Sequence, residues 1–584
     1  MSLGLLDFDK KINGRWYAKH VIPPDYAHWT TFDEVGEKVK EQLIDLCTEG
    51  RLAQLYQQAL ALYDSSSISP VVLTFHEQIQ TIRDVPTYIR LSTEFYEMGI
   101  PTFFRLNLEP DAKNSKQGFP HLNQAGLGLP DKKYYHDENI LAHYSDYLSV
   151  LSQAYGVKIN APPVMEFEKQ LAVLFLDAAK SNDMEYTYNK VAVPAYIGLD
   201  LGHVIMDNVR FFEALPAIFE RTALETLKDY IWIRVAESLG HYQSKSIRAM
   251  IFDFYGRRLM GKENPHDAKT YAIDIVKALV PTELEQAYVR ACFSNETREA
   301  CLTMVDQIVG TLTGAIQTAD WMTETTKKAS LTKLKRLKVR VGYPRDYLAD
   351  IDLHLTGFRD LTEVSLFQTK AWYNQHIVRR FYQPVNPEIW SMAVYEVNAS
   401  YHLNNNRMII PAGILQKPFF GHRSPAKNLG GLGTLIGHEL THGFDNHGRK
   451  LNPEGNLMAW WTARDIQNYE QKIDPIRKYY SALSYTGIPV NGDLTLGENI
   501  ADIGGVALAI RALKTMGAGD AELIKFFKTY AVVWRQLINK RAAKRALFTD
   551  PHALHKFRIN VVLSCMPDFQ RIYGGPSGAF SIWY

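Results

Sequence analysis

Cysteine is scarce: Cys47, Cys292, Cys301 and Cys565 are the only four in 584 residues. A disulfide framework is therefore excluded as the basis of the fold, and the spacing of the four fits no thiolate metal motif. Charge of one sign is also missing. Lys plus Arg number 65 against 63 Asp plus Glu, a formal net charge of +2, so no global field draws the chain to nucleic acid or to an anionic membrane. Long hydrophobic runs are absent too. The run 171–176 stops at Asp177, far short of the ~18 apolar residues that span a bilayer. The amino terminus, MSLGLLDFDKK, lacks the basic segment and apolar core of a signal peptide. A reducing, cytoplasmic location and no membrane association are expected, a secreted location staying open if a leader has been trimmed. No internal repeat and no low-complexity tract interrupts the chain.

What is present is an ordinary globular composition, 46% apolar and 22% charged, in a chain long enough for two to four domains with a large core. The first half reads as helix: residues 32–46, 142–155, 164–179 and 216–237 carry apolar side chains at three- and four-residue spacing. Residues 327–340 hold seven Lys or Arg. Without interleaved aromatic residues this run is expected to be a solvated helix face rather than a nucleic-acid surface. It ends at the Gly342-Tyr343-Pro344 break, taken as the domain boundary. After it, Gly and Asn rise and short β-like runs occur at 393–401 and 407–411.

The chemistry concentrates in residues 433–445, GTLIGHELTHGFD. Apolar residues recur there at helical spacing and no proline interrupts 431–448, so a buried helix is expected. Positions i and i+4 of a helix face the same way, so His438 and His442 can both ligate one zinc ion, while Glu439 lies about 100° round the turn, within reach of a water beside the metal. By chance such a motif is expected roughly 0.03 times in a chain with this many histidines. The plainer alternative is a pair of hydrogen-bonded core histidines. A catalytic zinc needs a third protein ligand. Position 448 is Gly rather than a third His, and the candidate is Glu498 in residues 497–505, GENIADIGG. Asp502, one turn further on, shares its face and can accept the second ring N–H of a ligating histidine. Gly504 and Gly505 would let the two helices approach closely.

Glu498 lies 56 residues beyond His442, and the whole set resembles the neprilysin and endothelin-converting-enzyme family of zinc peptidases. Segments VNASY (397–401), PAGILQ (411–416) with PFF (418–420), the His-Glu helix ending Gly443-Phe444-Asp445, WWT (460–462) and GENIADIGG match in order, as do LGLPD (127–131) with Tyr134-Tyr135, and VGYP (341–344). The resemblance covers nearly the full chain. It implies a mainly α fold with a small β-sheet (α+β): a large helical lobe, residues 1–343, and a thermolysin-like zinc lobe, residues 344–584, together enclosing a central cavity, with the extreme N-terminal segment free to join the zinc lobe. It further implies one Zn2+ held by His438, His442 and Glu498, Glu439 as the base, and His552 as a donor to the oxyanion. Arg558 is implied to hold a substrate carbonyl, Asp445 to orient His552, and Asp502 to orient a ligand. Substrate would add as a strand along Asn398 and Ala399. Ile414, Phe419, Leu435 and Trp534 are implied to line the pocket for the residue after the cut bond, which predicts a large apolar side chain there.

Departures from the family pattern narrow the expectation. The cysteine-rich animal members end with a cysteine shortly before a terminal Trp, whereas this chain ends SIWY, closer to the soluble bacterial oligopeptidase O type. Position 126, before LGLP, is Gly, where neprilysin-like members that grip a free substrate carboxylate have Arg. A monomeric zinc endopeptidase acting on short peptides is expected, with no nucleic-acid partner; the alternatives are a zinc exopeptidase of dipeptidyl-carboxypeptidase type and an inactive peptide-binding scaffold. The Asn-x-Ser/Thr matches at Asn295 and Asn398 are expected to be coincidental.

Overall fold

The computed structural model describes residues 6–345, 361–575, 580 and 582–583. Helices dominate, with short strands between them, as the α+β expectation has it. Among the described residues no helix is long and apolar enough to cross a membrane.

The compact units do not follow chain order, and each takes segments from both sides of the expected cut between 343 and 344. One compact unit is assembled from Met1–Leu46, Glu283–Tyr347 and Asn386–Tyr584, the other from Cys47–Thr282 and Leu348–Val385. Pairing explains the difference. Strand Lys338–Gly342, on the near side of the expected boundary, runs parallel to Arg407–Pro411 in one three-stranded sheet, so its backbone groups are satisfied in the first unit. The amino-terminal segment is tied there as well. Strand His28–Thr30 pairs antiparallel with Gln536–Ile538, and Asn13 Nδ2 donates to the Ala531 carbonyl at 2.8 Å.

In the second unit, a four-stranded sheet containing the hairpin Phe104–Asp111 and Asn114–Gln124 stands among helices. The periodicity of 216–237 misleads on continuity. Helix Val209–Arg221 ends where Thr222 turns extended and its hydroxyl bonds back to the Ile218 carbonyl, and a new helix, Leu224–Gly240, begins. The expected helix over 164–179 likewise stops at Leu174. The core of this unit includes a charged centre. Glu168 is fully buried, accepts from the Tyr135 and Tyr144 hydroxyls and faces Arg234 at 3.2 Å, because a buried carboxylate persists only where donors and a counter-charge replace water.

The first unit is organised around two helices. Helix Thr434–His442 follows a wider π-type turn over Leu429–Gly433, so the helical run begins irregularly where three glycines cluster. Helix Leu496–Thr515 lies against it. Their backbones touch where side chains are missing: a Cβ on Gly505 would sit 2.5 Å from the His438 amide nitrogen, and one on Gly437 would sit 2.7 Å from the Gly505 carbonyl oxygen. Leu432, Leu435, Ile436 and Leu440 on one helix and Ile500, Ile503 and Val506 on the other enter one apolar core. Of the expected β-run 393–401, only its end is strand: Ser400–His402 forms the sheet's edge, antiparallel to Arg407–Pro411.

Candidate active site

The i, i+4 geometry does what the sequence requires. The Nε2 atoms of His438 and His442 stand 3.0 Å apart. Glu498, in the first turn of its own helix, brings Oε2 to 3.1 Å from the first and 3.6 Å from the second. Each ring is held from behind by a carboxylate. His438 Nδ1 lies 2.9 Å from Asp502 Oδ1, and His442 Nδ1 lies 2.6 Å from Asp445 Oδ2. A proton donated from each Nδ1 leaves each Nε2 as a lone pair, so two ring nitrogens and a carboxylate oxygen converge as three electron donors. Glu498 Oε2 is buried and meets no hydrogen-bond donor at acceptable geometry. Three such donors, mutually within 4.8 Å, fit a zinc ion by number, chemistry and burial. Glu439 sits beside His438 on the motif helix, 7% exposed.

Asp502 joins two groups that the sequence leaves apart. Besides His438, it receives Arg558 through Nε at 2.8 Å and Nη2 at 2.7 Å. This bidentate pairing fixes the guanidinium plane, which lies over the Trp534 ring at 3.7 Å. Burial opposes ionisation of Asp502, yet the Arg558 charge and the His438 hydrogen bond bring its pKa down to about 2.

His552 is placed against the carboxylate ligand rather than beside Asp445. Its Nε2 is 3.1 Å from Glu498 Oε2 and its Nδ1 is 2.8 Å from Asp550 Oδ1. The expectation that Asp445 orients His552 is thus corrected. Asp445 is occupied by His442 and by the amides of His447 and Gly448, because the chain curls back on itself directly after the helix. The partner of His552 is Asp550, two residues earlier in the same loop. Burial works against a charge on His552, but Glu498 and Asp550 raise its pKa to about 9.

The remaining candidates sit close by or behind. Asn398 is exposed, its Oδ1 accepting from the Ala399 amide at 2.9 Å, and it precedes the edge strand rather than belonging to it. Ile414, Phe419, Leu435 and Trp534 are all buried in the apolar core of this unit. Phe419 is tied to the motif helix's entry turn by its carbonyl, which accepts from the Leu432 amide. Three residues escaped the sequence reading. Phe32 packs at a tilt against Phe419, ring centroids 4.7 Å apart, and against Trp534 at 5.3 Å, from some 500 positions away in the case of Trp534; nothing local signals it. Asp550 was legible from its spacing to His552. Lys333 was hidden within the basic run: it is 1% exposed, and its amine meets the carbonyls of Gly443, Gly448 and Leu451 directly behind the motif helix. The solvated-face expectation therefore fails at this one lysine.

Two family models, both described as Peptidase family M13, match residues 6–344 and 398–582. The chain belongs to peptidase family M13. Members of this family are zinc-dependent metallopeptidases. Among its M13 relatives, endothelin-converting enzyme 1 of Cavia porcellus is 29% identical across 98% of this chain and 84% of its own length. The neutral endopeptidase of Lactococcus lactis subsp. lactis (strain IL1403) is 24% identical over 99% of both chains. Among solved structures, zinc metalloprotease ZMP1 of Mycobacterium tuberculosis in complex with inhibitor superposes with a TM-score of 0.90 at 24% identity, covering 99% of this chain and 97% of that one. PEPO from Lactobacillus rhamnosis HN001 gives the same TM-score at 23% identity over 99% of both chains. The M13 fold is thereby shared along the full chain.

Proposed function

We propose that the protein is a zinc-dependent endopeptidase that cleaves short peptides before a large apolar residue. The observation that carries this reading is the convergence of His438, His442 and Glu498, with both imidazoles held by carboxylates. These three would hold one zinc ion. When bound, zinc supplies Lewis acidity, polarising a carbonyl oxygen and lowering the pKa of a neighbouring water toward neutrality.

The chain's own groups supply the rest. Glu439 takes the proton from the attacking water and returns it to the departing amine, a general base becoming a general acid. His552, its Nδ1 held 2.8 Å from Asp550 Oδ1, donates from Nε2 to the oxygen on which negative charge develops. Arg558 spends two N–H groups on Asp502 and keeps others for a substrate carbonyl; the stacking on Trp534 holds it still. The strand edge at Ser400–His402 and the Asn398–Ala399 segment before it offer backbone groups to an extended peptide. Phe419, Trp534, Ile414 and Leu435, joined by Phe32, give the apolar surface against which the side chain after the scissile bond would lie.

Cleavage of a peptide blocked at both ends tests the reading. A doubly blocked peptide with Phe or Leu after the scissile bond should be cut by the zinc-loaded protein, not after chelation, and again on adding zinc. Resistance of every blocked peptide with cleavage of the free-carboxylate analogue would favour a dipeptidyl-carboxypeptidase; binding without cleavage would favour a scaffold.

A further inference from the structure

Lys333 is buried within helix Glu324–Lys335, whereas Lys335 on the same helix is exposed. Its Nζ donates to three carbonyls, Gly443 at 2.7 Å, Gly448 at 2.8 Å and Leu451 at 2.8 Å, which uses all three N–H bonds of an ammonium group. The three acceptors belong to one short stretch of chain that leaves the C-terminus of the motif helix and turns back under it. A Cβ on Gly448 would lie 1.8 Å from the His442 carbonyl oxygen, so the return passes against the second histidine's own backbone. Inside that stretch sits Asp445, whose Oδ1 receives the His447 and Gly448 amides and whose Oδ2 faces His442 Nδ1. Phe444 and Trp460 flank the amine with ring centroids at 5.6 and 5.3 Å. A cation is also favourable at this end of a helix.

We infer that Lys333 is a positioning residue for the zinc site: its ammonium fixes the turn over residues 443–451 and, through it, the Asp445 carboxylate that orients His442. Gly443, directly after the helix, has a carbonyl that the helix's own ladder does not satisfy. One buried ammonium ties three carbonyls of this turn at once, in addition to the backbone bonds that run within it from the Arg449 amide to the Asp445 carbonyl and from the Leu451 amide to the Gly448 carbonyl. The basic side chain works at a distance from any reacting atom. Lys333 touches neither substrate nor metal; its effect reaches the site only through Asp445.

The inference rests on the zinc-peptidase reading, and zinc affinity separates the two. Chelator competition on full-length protein should show tight zinc binding by the unaltered chain; if none is seen, the zinc reading fails. Given that binding, Lys333→Met, which keeps the stem and removes the donors, should raise the zinc dissociation constant about 10–100-fold, the range for loss of a group supporting a metal ligand. Lys335→Met should leave it unchanged. Asp445→Asn should weaken zinc similarly, and the Lys333→Met/Asp445→Asn double variant should be no weaker than Asp445→Asn alone, because both changes cut one chain of contacts. Unchanged affinity in Lys333→Met, or full additivity in the double variant, would overturn the inference. If Lys333→Met does not fold, Lys333→Gln, which retains two donors, takes its place. Failure of both to fold would also overturn it, by assigning the lysine to the fold as a whole.

Discussion

Asp502 carries two charged neighbours on one carboxylate, His438 at 2.9 Å and Arg558 at 2.7 and 2.8 Å. Removing its charge by Asp502→Asn leaves Arg558 buried beside a neutral amide and leaves one acceptor oxygen where His438 and Arg558 now use two. Zinc affinity is expected to fall about 10–100-fold, and chelator competition measures it. Glu439 is expected to behave oppositely. Glu439→Gln keeps the size of the side chain and touches none of the three ligands, so zinc content should stay at the unaltered level while kcat drops by roughly 10²–10⁴. Metal analysis and peptide cleavage on the same preparation check both halves. Loss of zinc together with activity would remove Glu439 from the role of base.

Contacts between elements depend on small residues and shared caps. Gly505 lets helix Leu496–Thr515 lie against helix Thr434–His442, and a methyl group there would meet the His438 amide at 2.5 Å and the Thr434 carbonyl at 2.6 Å. Backbone cannot yield as a side chain can. Gly505→Ala is expected to cost about 3 kcal/mol, the upper range for overpacking, read by urea unfolding, and to weaken zinc because Glu498 and His438 are carried apart. Asp465 works at two helix starts. It accepts from the amide and hydroxyl of Thr323 and from the hydroxyls of Thr326 and Thr462 at 2.6–2.7 Å, tying the start of helix Glu324–Lys335 to Thr462, the cap of helix Ala463–Ser481. Burial opposes its charge, but these hydrogen bonds prevail and lower its pKa. A depressed carboxylate stabilises the fold above the unfolded value near 4 and loses that contribution as pH falls through the lower folded value. Asp465→Asn should therefore destabilise by about 1–2 kcal/mol at pH 7, and the deficit should shrink below about pH 4 in parallel urea titrations.

At the scale of the whole molecule, the chain leaves its first unit after residue 46 and returns at 283, and all three ligands lie in that unit. A zinc ion held by residues that only the native fold brings together would stabilise that fold by the linkage RT ln(1 + [Zn]/Kd), so its removal should cost about 4 kcal/mol at a thousandfold excess over Kd. Calorimetry with and without chelator should show the loss in the melting of the ligand-bearing unit. An unshifted scan, with zinc shown to be bound, would mean that the site contributes nothing to folding.

Much of the site is local and hence legible in the chain alone. The spacing of His438 and His442, and of Glu498 and Asp502, fixes which side chains share a helix face before any fold is known, because 3.6 residues per turn is a property of the backbone. Cysteine scarcity, balanced charge and the lack of long apolar runs bound the class in the same way. Which carboxylate serves which histidine was not legible. Spacing allows Asp445 to face either His552 or His442, and the reversal of the chain at Gly448 decides for His442. The fate of a basic run was equally open: Lys333 and Lys335 look alike in sequence, and only the burial of one helix face against the turn after His442 separates a structural ammonium from a solvated one. Phe32 is the extreme case, brought onto Trp534 by the strand pairing of His28–Thr30 with Gln536–Ile538. Periodicity determines faces within an element; only packing between distant elements determines what each face meets.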